Sequence, residues 1–301
     1  MHFPAAVRLP RRIARSTLSI LLPLLLVTPV MALDLASMWD FDKPELSEQR
    51  FSAALSGASP DDQLILQTQI ARTWGLRRAF ERARRVLDGI AERVPNASAE
   101  AQVRFNLEYG RSYASPAHAP EQRTAEARSQ AGAYFMKAYD LAAAARLDGL
   151  AIDALHMMVM VDEAPDQQLA WNERAIAVLE RSDQPAAKRW EGSLRNNIGY
   201  AYTLKGDYER ALAQYRLSRT AYERNGNPRA VRVADWMIAS TYRAQKRYGE
   251  ALALQLDLEK RYDAAGTPEP DVYEELEQLY RALGNEERAA HYAAKLKALP
   301  H

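Results

Sequence analysis

The sequence contains no cysteine in 301 residues, and only 13 of its residues are glycine. Because no thiol is present, a disulfide scaffold, a thiolate metal site and an enzyme with a cysteine nucleophile are excluded. The sequence also has no marked excess of charge of either sign, because its 40 basic and 39 acidic side chains give a formal net charge of +1. This balance is not typical of a generally basic nucleic-acid binder, so we expect no nucleic acid among the partners.

The sequence also lacks the motifs of common catalytic chemistry. No glycine-rich phosphate loop, no His-Glu-x-x-His motif and no Gly-x-Ser-x-Gly elbow occurs. The five histidines are dispersed along the chain, and no two of them have the spacing of metal ligands on one helix face. We therefore expect a protein that is not an enzyme and has no cofactor and no metal site. An enzyme without a recognisable motif is kept as a third alternative.

The first 32 residues have the composition of an export signal. Four arginines and no acid precede an apolar run at residues 18–30, which is shorter than the roughly 20 residues that span a bilayer comfortably. We predict a signal peptide over residues 1–32, cleaved after Ala32, that directs the protein to the periplasm. An uncleaved signal that anchors the chain in the inner membrane is the alternative, and membrane contact is expected only through this segment.

Removal of the signal changes the sign of the net charge. The 40 basic side chains less four arginines leave 36, against 39 acidic ones. The mature protein is therefore slightly acidic.

The remainder of the chain has the pattern of an all-α protein. Alanine, a strong helix former, accounts for 53 residues, and Gly and Pro fall between rather than within the apolar-periodic segments. Pro120, Pro165 and Pro270 stand where helices are expected to begin, and Ser59 is placed to cap another helix. Short connectors between these segments predict that neighbouring helices are antiparallel.

One sequence pattern recurs in the C-terminal half. The segment Tyr-Thr-Leu-Lys-Gly-Asp-Tyr-Glu-Arg-Ala-Leu-Ala begins at Tyr202, and Tyr-Arg-Ala-Gln-Lys-Arg-Tyr-Gly-Glu-Ala-Leu-Ala begins at Tyr242. A weaker copy begins at Tyr280. Together with Gly199 three residues before the first tyrosine, this pattern resembles the tetratricopeptide repeat, a helix-turn-helix unit with characteristic places for small and aromatic residues.

Aligned alanines extend the repeat to six units. They are separated by 48, 39, 41, 40 and 38 residues, and they are Ala83, Ala131, Ala170, Ala211, Ala251 and Ala289. The usual period is about 34 residues, so the chain is similar to long-repeat members of the superfamily, and the widest interval predicts an insertion at residues 115–120. The resemblance implies a right-handed α-solenoid of antiparallel hairpins over residues 60–299, with residues 33–59 as an N-terminal capping segment.

The small residues of the pattern have a physical reason. We expect Gly199 and Ala211 to lie where the two helices of one hairpin cross, because small side chains let helices approach closely. Tyr202 and Tyr208 are expected to fill the space beside this contact.

The resemblance also implies a groove lined by the first helix of each hairpin. An asparagine in such a groove can both donate to and accept from a peptide backbone, and an arginine can hold a carboxylate with two hydrogen bonds. We interpret His156 as packed within its helix, with ligand contact as the alternative, and Met157, Met158 and Met160 as core. The predicted groove residues are Gln69, Arg72, Glu108, Arg111, His156, Asn196, Asn197, Tyr200, Trp236, Arg243, Gln278 and Arg281.

These features together favour an exported, non-enzymatic scaffold or adaptor with a tetratricopeptide-like fold. Its expected partner is a peptide or protein that binds in the concave groove, with a role in assembly of the cell envelope. A small anionic ligand or glycan in the same groove is the alternative, because the groove contains arginine and tryptophan. The oligomeric state is left open by the sequence.

Overall fold

The computed structural model describes residues 33–299, so the predicted signal peptide at residues 1–32 lies outside the described residues. From Leu35 onward the chain forms one unit. Every secondary-structure element assigned within this range is a helix, and most of the helices are long. Three short 3-10 segments, at Leu55–Gly57, Val94–Asn96 and Pro120–Gln122, interrupt the connections.

Fifteen α-helices follow one another in the described part of the chain. Most begin at a proline or after a polar cap; for example, the Ser59 side chain accepts from the backbone N–H of Asp62, as predicted. Pro165 and Pro270 also begin α-helices as predicted, whereas Pro120 begins only a three-residue 3-10 segment and the next α-helix begins at Ala125. The helices are α1 Leu35–Met38, α2 Pro44–Ala54, α3 Pro60–Leu76, α4 Phe80–Asp88, α5 Ala99–Tyr113, α6 Ala125–Ala144, α7 Asp148–Val161, α8 Pro165–Arg181, α9 Pro185–Lys188, α10 Glu191–Leu204, α11 Tyr208–Arg224, α12 Pro228–Ala244, α13 Tyr248–Ala264, α14 Pro270–Ala282 and α15 Glu286–Lys297.

The long helices pair into six antiparallel hairpins. Hairpins 1 to 6 are α3–α4, α5–α6, α7–α8, α10–α11, α12–α13 and α14–α15, and each packs against the next in chain order. Helix α2 packs on α3 at the N-terminal end, and the short α9 contacts α7. The chain is therefore the all-α, tetratricopeptide-like solenoid of about six repeats, with an N-terminal capping helix, that the sequence predicts.

Four of the six hairpin turns, those of hairpins 1, 4, 5 and 6, share one backbone geometry. At the α10–α11 turn Gly206 has φ +73°, and the N–H of Asp207 donates to the carbonyl of Tyr202 at 2.9 Å. The α12–α13 turn is built the same way with φ +61° at Lys246 and a bond from Arg247 to Tyr242 of 2.9 Å. This left-handed ending satisfies carbonyls that the last helical turn leaves unpaired. It explains why the connectors are so short.

The helices of hairpin 4 cross at Gly199, as the sequence predicts, and the ring that contacts this residue is that of Tyr215, which the sequence analysis did not place there. A Cβ added at Gly199 would lie 2.6 Å from the Tyr215 ring, and Tyr215 is fully buried. Ala211 is fully buried one turn earlier on the same helix. Tyr202 and Tyr208 are partly buried. Tyr202 packs against the cluster that contains Ala211 and Tyr215, as predicted, and Tyr215 fills the crossing itself.

The predicted alignment of the third repeat unit, which used Ala170, is wrong by two residues. Ala170 is exposed, whereas the other five aligned alanines are buried. Counted from the start of α8, the matching fourth position is Gln168, whose side-chain amide donates to the carbonyls of Val159 and Asp162. A long side chain that bonds to the end of α7 thus stands where a small one was expected.

Two features are absent from residues 33–299. No helix in this range is both long and apolar enough to cross a membrane. The same residues also contain no group of three or more His, Cys, Asp or Glu side chains placed to hold a metal ion.

Candidate functional site

The first helices of hairpins 1 to 5 line two neighbouring concavities. We call the first the charge-paired cavity, formed mainly around Arg72 of α3, Arg111 of α5 and His156 of α7. The second is the asparagine cleft, formed around the asparagines of α8 and α10 together with Trp236 of α12. Helix α7 contributes to both, because His156 and Met157 line the cavity and Val159 and Met160 line the cleft.

Ion pairs link three hairpins at the charge-paired cavity. Arg111 donates to Glu108 on its own helix at 2.5 Å and reaches Asp153 on α7. Arg72 on α3 contacts Glu108 at 3.4 Å. Both carboxylates are buried. Two guanidinium groups therefore face two carboxylates, and the formal charges cancel.

The pKa shifts at this cluster follow from burial and pairing. Burial alone would raise the pKa of Asp153, but attraction to Arg111 and Arg72 outweighs it and the pKa is lowered. Burial lowers the pKa of Arg111, and Asp153 and Glu108 more than reverse that effect. Burial also lowers the pKa of His156, which Asp153 opposes only in part. Burial, and then repulsion from Arg111, lowers the pKa of Arg72. The His156 imidazole is uncharged at neutral pH, because its pKa lies below the ordinary value of 6.5.

The rest of the cavity wall is mainly apolar. The space measures about 270 Å³ and is bordered by Leu76, Met157 and the Trp190 ring, whose centroid lies 5.2 Å from that of His156. The long α5–α6 connector supplies Ser115, Pro116 and Ala117, so the predicted insertion forms part of this wall.

The asparagine cleft has a different chemistry. It measures about 430 Å³ and no charged side chain lines it. Its wall combines amide and hydroxyl groups with apolar side chains, and the lining residues are Val159, Met160, Gln168, Asn172, Asn196, Asn197, Tyr200, Thr203, Trp236, Met237, Ser240 and Thr241.

Four polar atoms at this cleft are buried without a hydrogen-bond partner. They are Oδ1 of Asn172, Oδ1 of Asn196, Nδ2 of Asn197 and Nε1 of Trp236. Buried polar groups in folded proteins are nearly always paired, and each one left unpaired costs about 1–3 kcal/mol. The hydrogen-bonding capacity of these four atoms is therefore not used within residues 33–299.

The structure divides the predicted groove residues into three sets. Arg72, Glu108, Arg111 and His156 meet at the charge-paired cavity, and Gln69 lies nearby on α3, accepting from the Trp39 indole at 3.1 Å. A second set, Asn196, Asn197, Tyr200 and Trp236, meets at the asparagine cleft.

The third set stands apart from both concavities. Arg243 makes two hydrogen bonds of 2.7 Å to Glu275, and Arg281 pairs with Glu277 at 2.7 Å. Gln278 donates to Glu274 at 3.2 Å. These side chains are engaged with carboxylates of hairpin 6, so they are not brought into either site.

The lining residues that the sequence analysis missed include Asp153, Asn172 and Trp190. Asp153 precedes His156 by three residues and therefore shares its helix face, a signal that was available. Asn172 lies on a second helix, in the unit whose alignment was wrong, and Trp190 lies on the irregular segment between α9 and α10. No repeat pattern marks either of these last two positions.

No protein-family model and no curated protein matches the chain. Solved structures match its fold at low identity. RapI in its apo form has a TM-score of 0.66 and 12% identity over 87% of this chain and 72% of RapI. NprR in complex with its cognate peptide NprX has a TM-score of 0.54 and 14% identity, and the match covers 87% of this chain and 75% of NprR.

A third similar structure is that of a protein with a tetratricopeptide repeat sensor. It is the signal-transduction ATPase with numerous domains (STAND) from Pyrococcus horikoshii, and it matches with a TM-score of 0.63 and 12% identity. The match covers 84% of this chain but only 38% of that protein. These likenesses show that the fold is that of tetratricopeptide-like repeat proteins.

Proposed function

We propose that the protein is an exported, non-enzymatic repeat scaffold of the cell envelope that binds an extended peptide segment of a partner in the asparagine cleft. The observation that carries this proposal is the set of four buried polar atoms without partners at one cleft. The cleft is large enough for several residues of an extended chain, which spans about 3.3–3.6 Å per residue.

A peptide backbone fits these atoms better than most ligands. Every peptide unit offers one N–H donor and one C=O acceptor, and a primary amide offers the complementary pair. Rotation of Asn196 and Asn197 about the last side-chain bond turns either polar atom of each amide toward the cleft. The Trp236 indole adds a donor for a carbonyl oxygen.

The bound segment should be uncharged. No charged residue lines the asparagine cleft, and Val159, Met160 and Met237 provide apolar contacts for its side chains. A charged side chain that entered would lose its hydration without gaining an ion pair, which is costly. We infer a partner segment rich in small and apolar residues.

An anion or glycan in the groove has less support. The predicted groove arginines are already neutralised, because Arg72 and Arg111 face Glu108 and Asp153, and Arg243 faces Glu275. A ligand carboxylate at these positions would have to displace an internal one. The fold is compatible with a peptide ligand, since the similar protein NprR is known in complex with its cognate peptide.

The export part of the proposal rests on the first 32 residues of the sequence. If the signal is cleaved after Ala32, the protein recovered from the source cell begins at Leu33. Mass spectrometry of the intact protein from the cell envelope tests this. A chain that retains its first residues and sediments with inner membrane would support the anchored alternative.

Peptide selection tests the binding part. Random twelve-residue peptides displayed on phage are selected against the protein, and the enriched peptides are then titrated into three forms of it by calorimetry. Asn196→Ala combined with Asn197→Ala should weaken binding at least tenfold, whereas Asn225→Ala should leave it unchanged, because Asn225 is exposed at the end of α11. Failure to enrich any peptide, or equal affinity in all three forms, would contradict the proposal.

A further inference from the structure

A third concavity, which we call the basic cleft, opens beside the α3–α4 turn. It measures about 580 Å³ and is bordered by this turn, the start of α4, the end of α5 and the α5–α6 connector. Four of its lining residues are arginines, namely Arg78, Arg82, Arg84 and Arg85. Glu81 is the one acidic residue among its lining residues, so the formal charge of the lining is +3 (four less one).

These arginines differ from the groove arginines in their pairing. Within residues 33–299 none of the four makes an ion pair with a carboxylate, in contrast to Arg72, Arg111, Arg243 and Arg281. Neighbouring Arg77 is also neutralised, since it pairs with Glu48 and lies 3.8 Å from Glu45. The basic cleft therefore carries a concentration of positive charge that no ion pair compensates within residues 33–299.

Local contacts hold two of the four side chains in place. Arg84 donates to the backbone carbonyl of Ser112 at 2.8 Å and lies 5.3 Å from the Tyr113 ring centre. The Arg82 guanidinium lies 3.6 Å from the Trp74 ring centre. Aromatic stacking leaves the N–H groups at the guanidinium edge free to bind an anion, because the ring contacts only its face. Arg78, Arg82 and Arg85 are exposed.

Histidine does not account for the site. His118 lines the basic cleft, but its ring is stacked on Phe80 at 3.5 Å and its nitrogens contact Ser115 and the carbonyl of Ser112. These contacts fix the wall of the cleft, and the arginines provide its charge.

We propose that the basic cleft binds a small polyanion with more than one phosphate group. Guanidinium groups bind phosphate oxygens through paired, charge-assisted hydrogen bonds, and four of them exceed what one phosphate requires. The volume also exceeds that of a single phosphate ion. This site is separate from the asparagine cleft, and its ligand could be a soluble phosphate compound or the headgroup of an anionic lipid.

Pyrophosphate is the probe for the first test. Calorimetric titration of the protein should give saturable binding of one pyrophosphate per chain, weaker at 200 mM than at 50 mM salt because exposed charges are screened. Absence of saturable binding at millimolar pyrophosphate would overturn the proposal.

Two matched variants locate the site. Arg78→Gly removes a guanidinium from the basic cleft, and Arg146→Gly removes one from the α6–α7 turn, where the backbone has the same left-handed geometry (φ +60° and +56°). Both changes relieve the same backbone strain, so folding is not compromised. Arg78→Gly, alone and with Arg85→Gln, should raise the pyrophosphate Kd about tenfold for each guanidinium group removed. Equal affinity of Arg78→Gly and Arg146→Gly would overturn the proposal.

Vesicles distinguish the two sources of the anion. Sedimentation with vesicles that contain cardiolipin, whose headgroup carries two phosphates, but not with phosphatidylcholine vesicles, supports a lipid headgroup if it is competed by pyrophosphate and abolished in Arg78→Gly with Arg85→Gln. Pyrophosphate binding without vesicle binding supports a soluble phosphate compound. Vesicle binding that pyrophosphate does not compete, or that both variants retain, overturns the assignment to this cleft. Peptide binding at the asparagine cleft should be the same in all these variants.

Discussion

The ring of Tyr215 occupies the space that a side chain at position 199 would need. A Cβ atom built on Gly199 would lie 2.6 Å from Cε1 of Tyr215, closer than packed atoms approach. The tyrosine cannot easily move away, because its hydroxyl is hydrogen-bonded to Thr203 at 3.0 Å and its ring is fully buried. The glycine of the repeat is thus dictated by a specific aromatic partner on the second helix.

Gly199→Ala should therefore destabilise the protein although alanine is the better helix former. We expect a loss of about 1–3 kcal/mol in the free energy of unfolding from overpacking, measured by urea denaturation. Gly132→Ala is the control, since a Cβ there lies no closer than 3.7 Å to its neighbours, and it should gain about 0.5–1 kcal/mol. Equal effects of the two substitutions would contradict the packing account.

Arg111→Met should be strongly destabilising, because it leaves Glu108 and Asp153 buried without their main partner. Loss of one member of a buried ion pair costs about 3–5 kcal/mol. Arg281→Met breaks an exposed pair with Glu277 and should change stability by less than about 1 kcal/mol. Denaturation midpoints for both variants check this, and a small effect at Arg111 would show that the cluster does not join hairpins 1 to 3.

Stability should fall as the pH is lowered below about 6.5. Burial lowers the pKa of both His118 and His156 in the folded protein, whereas in the unfolded chain they titrate near 6.5. The unfolded chain therefore takes up protons that the folded chain does not, and the free energy of unfolding decreases as the pH falls through this range. Urea midpoints between pH 8 and pH 5 test this, and the decline should be shallower in His156→Gln. A midpoint that rises on acidification would refute it.

Lys246→Gly should stabilise the protein. Lys246 is exposed and has φ +61° at the α12–α13 turn, a conformation that strains a residue with a Cβ by about 1–2 kcal/mol. We expect a net gain of about 1 kcal/mol. Lys260→Gly, at an exposed position inside α13, should instead lose about 1 kcal/mol, so thermal melting of the pair separates turn geometry from loss of the lysine.

The helices and hairpins could be predicted because their causes are local. Caps, prolines and alanine-rich faces are readable one turn at a time, and the small residue at position 199 follows from the repeat. The third unit could not be aligned, since Gln168 bonds to backbone carbonyls where other units use alanine. In this unit the hydrogen bonds of Gln168 take the place of the close packing that a small residue allows, and a pattern of small residues cannot reveal such a substitution.

The candidate sites were predictable in part for a similar reason. Spacing within the repeat placed Asn196, Asn197 and Trp236 on one surface, and the structure brings them to one cleft. Whether a groove arginine is free depends on carboxylates from other hairpins, such as the pairing of Arg243 with Glu275 across 32 positions. Such long-range pairing is set by tertiary packing, so the sequence suggested anion binding in the groove where the charges are in fact compensated.

The most direct test of peptide binding in the asparagine cleft is a double-mutant cycle on the backbone hydrogen bond itself. A selected peptide is methylated at one backbone nitrogen at a time, and each form is titrated into the protein and into Asn197→Ala. Our account predicts that methylation at one position weakens binding to the protein at least tenfold but has little further effect in Asn197→Ala, because both changes remove the same hydrogen bond. Fully additive effects at every position, or no effect of methylation anywhere, would contradict it.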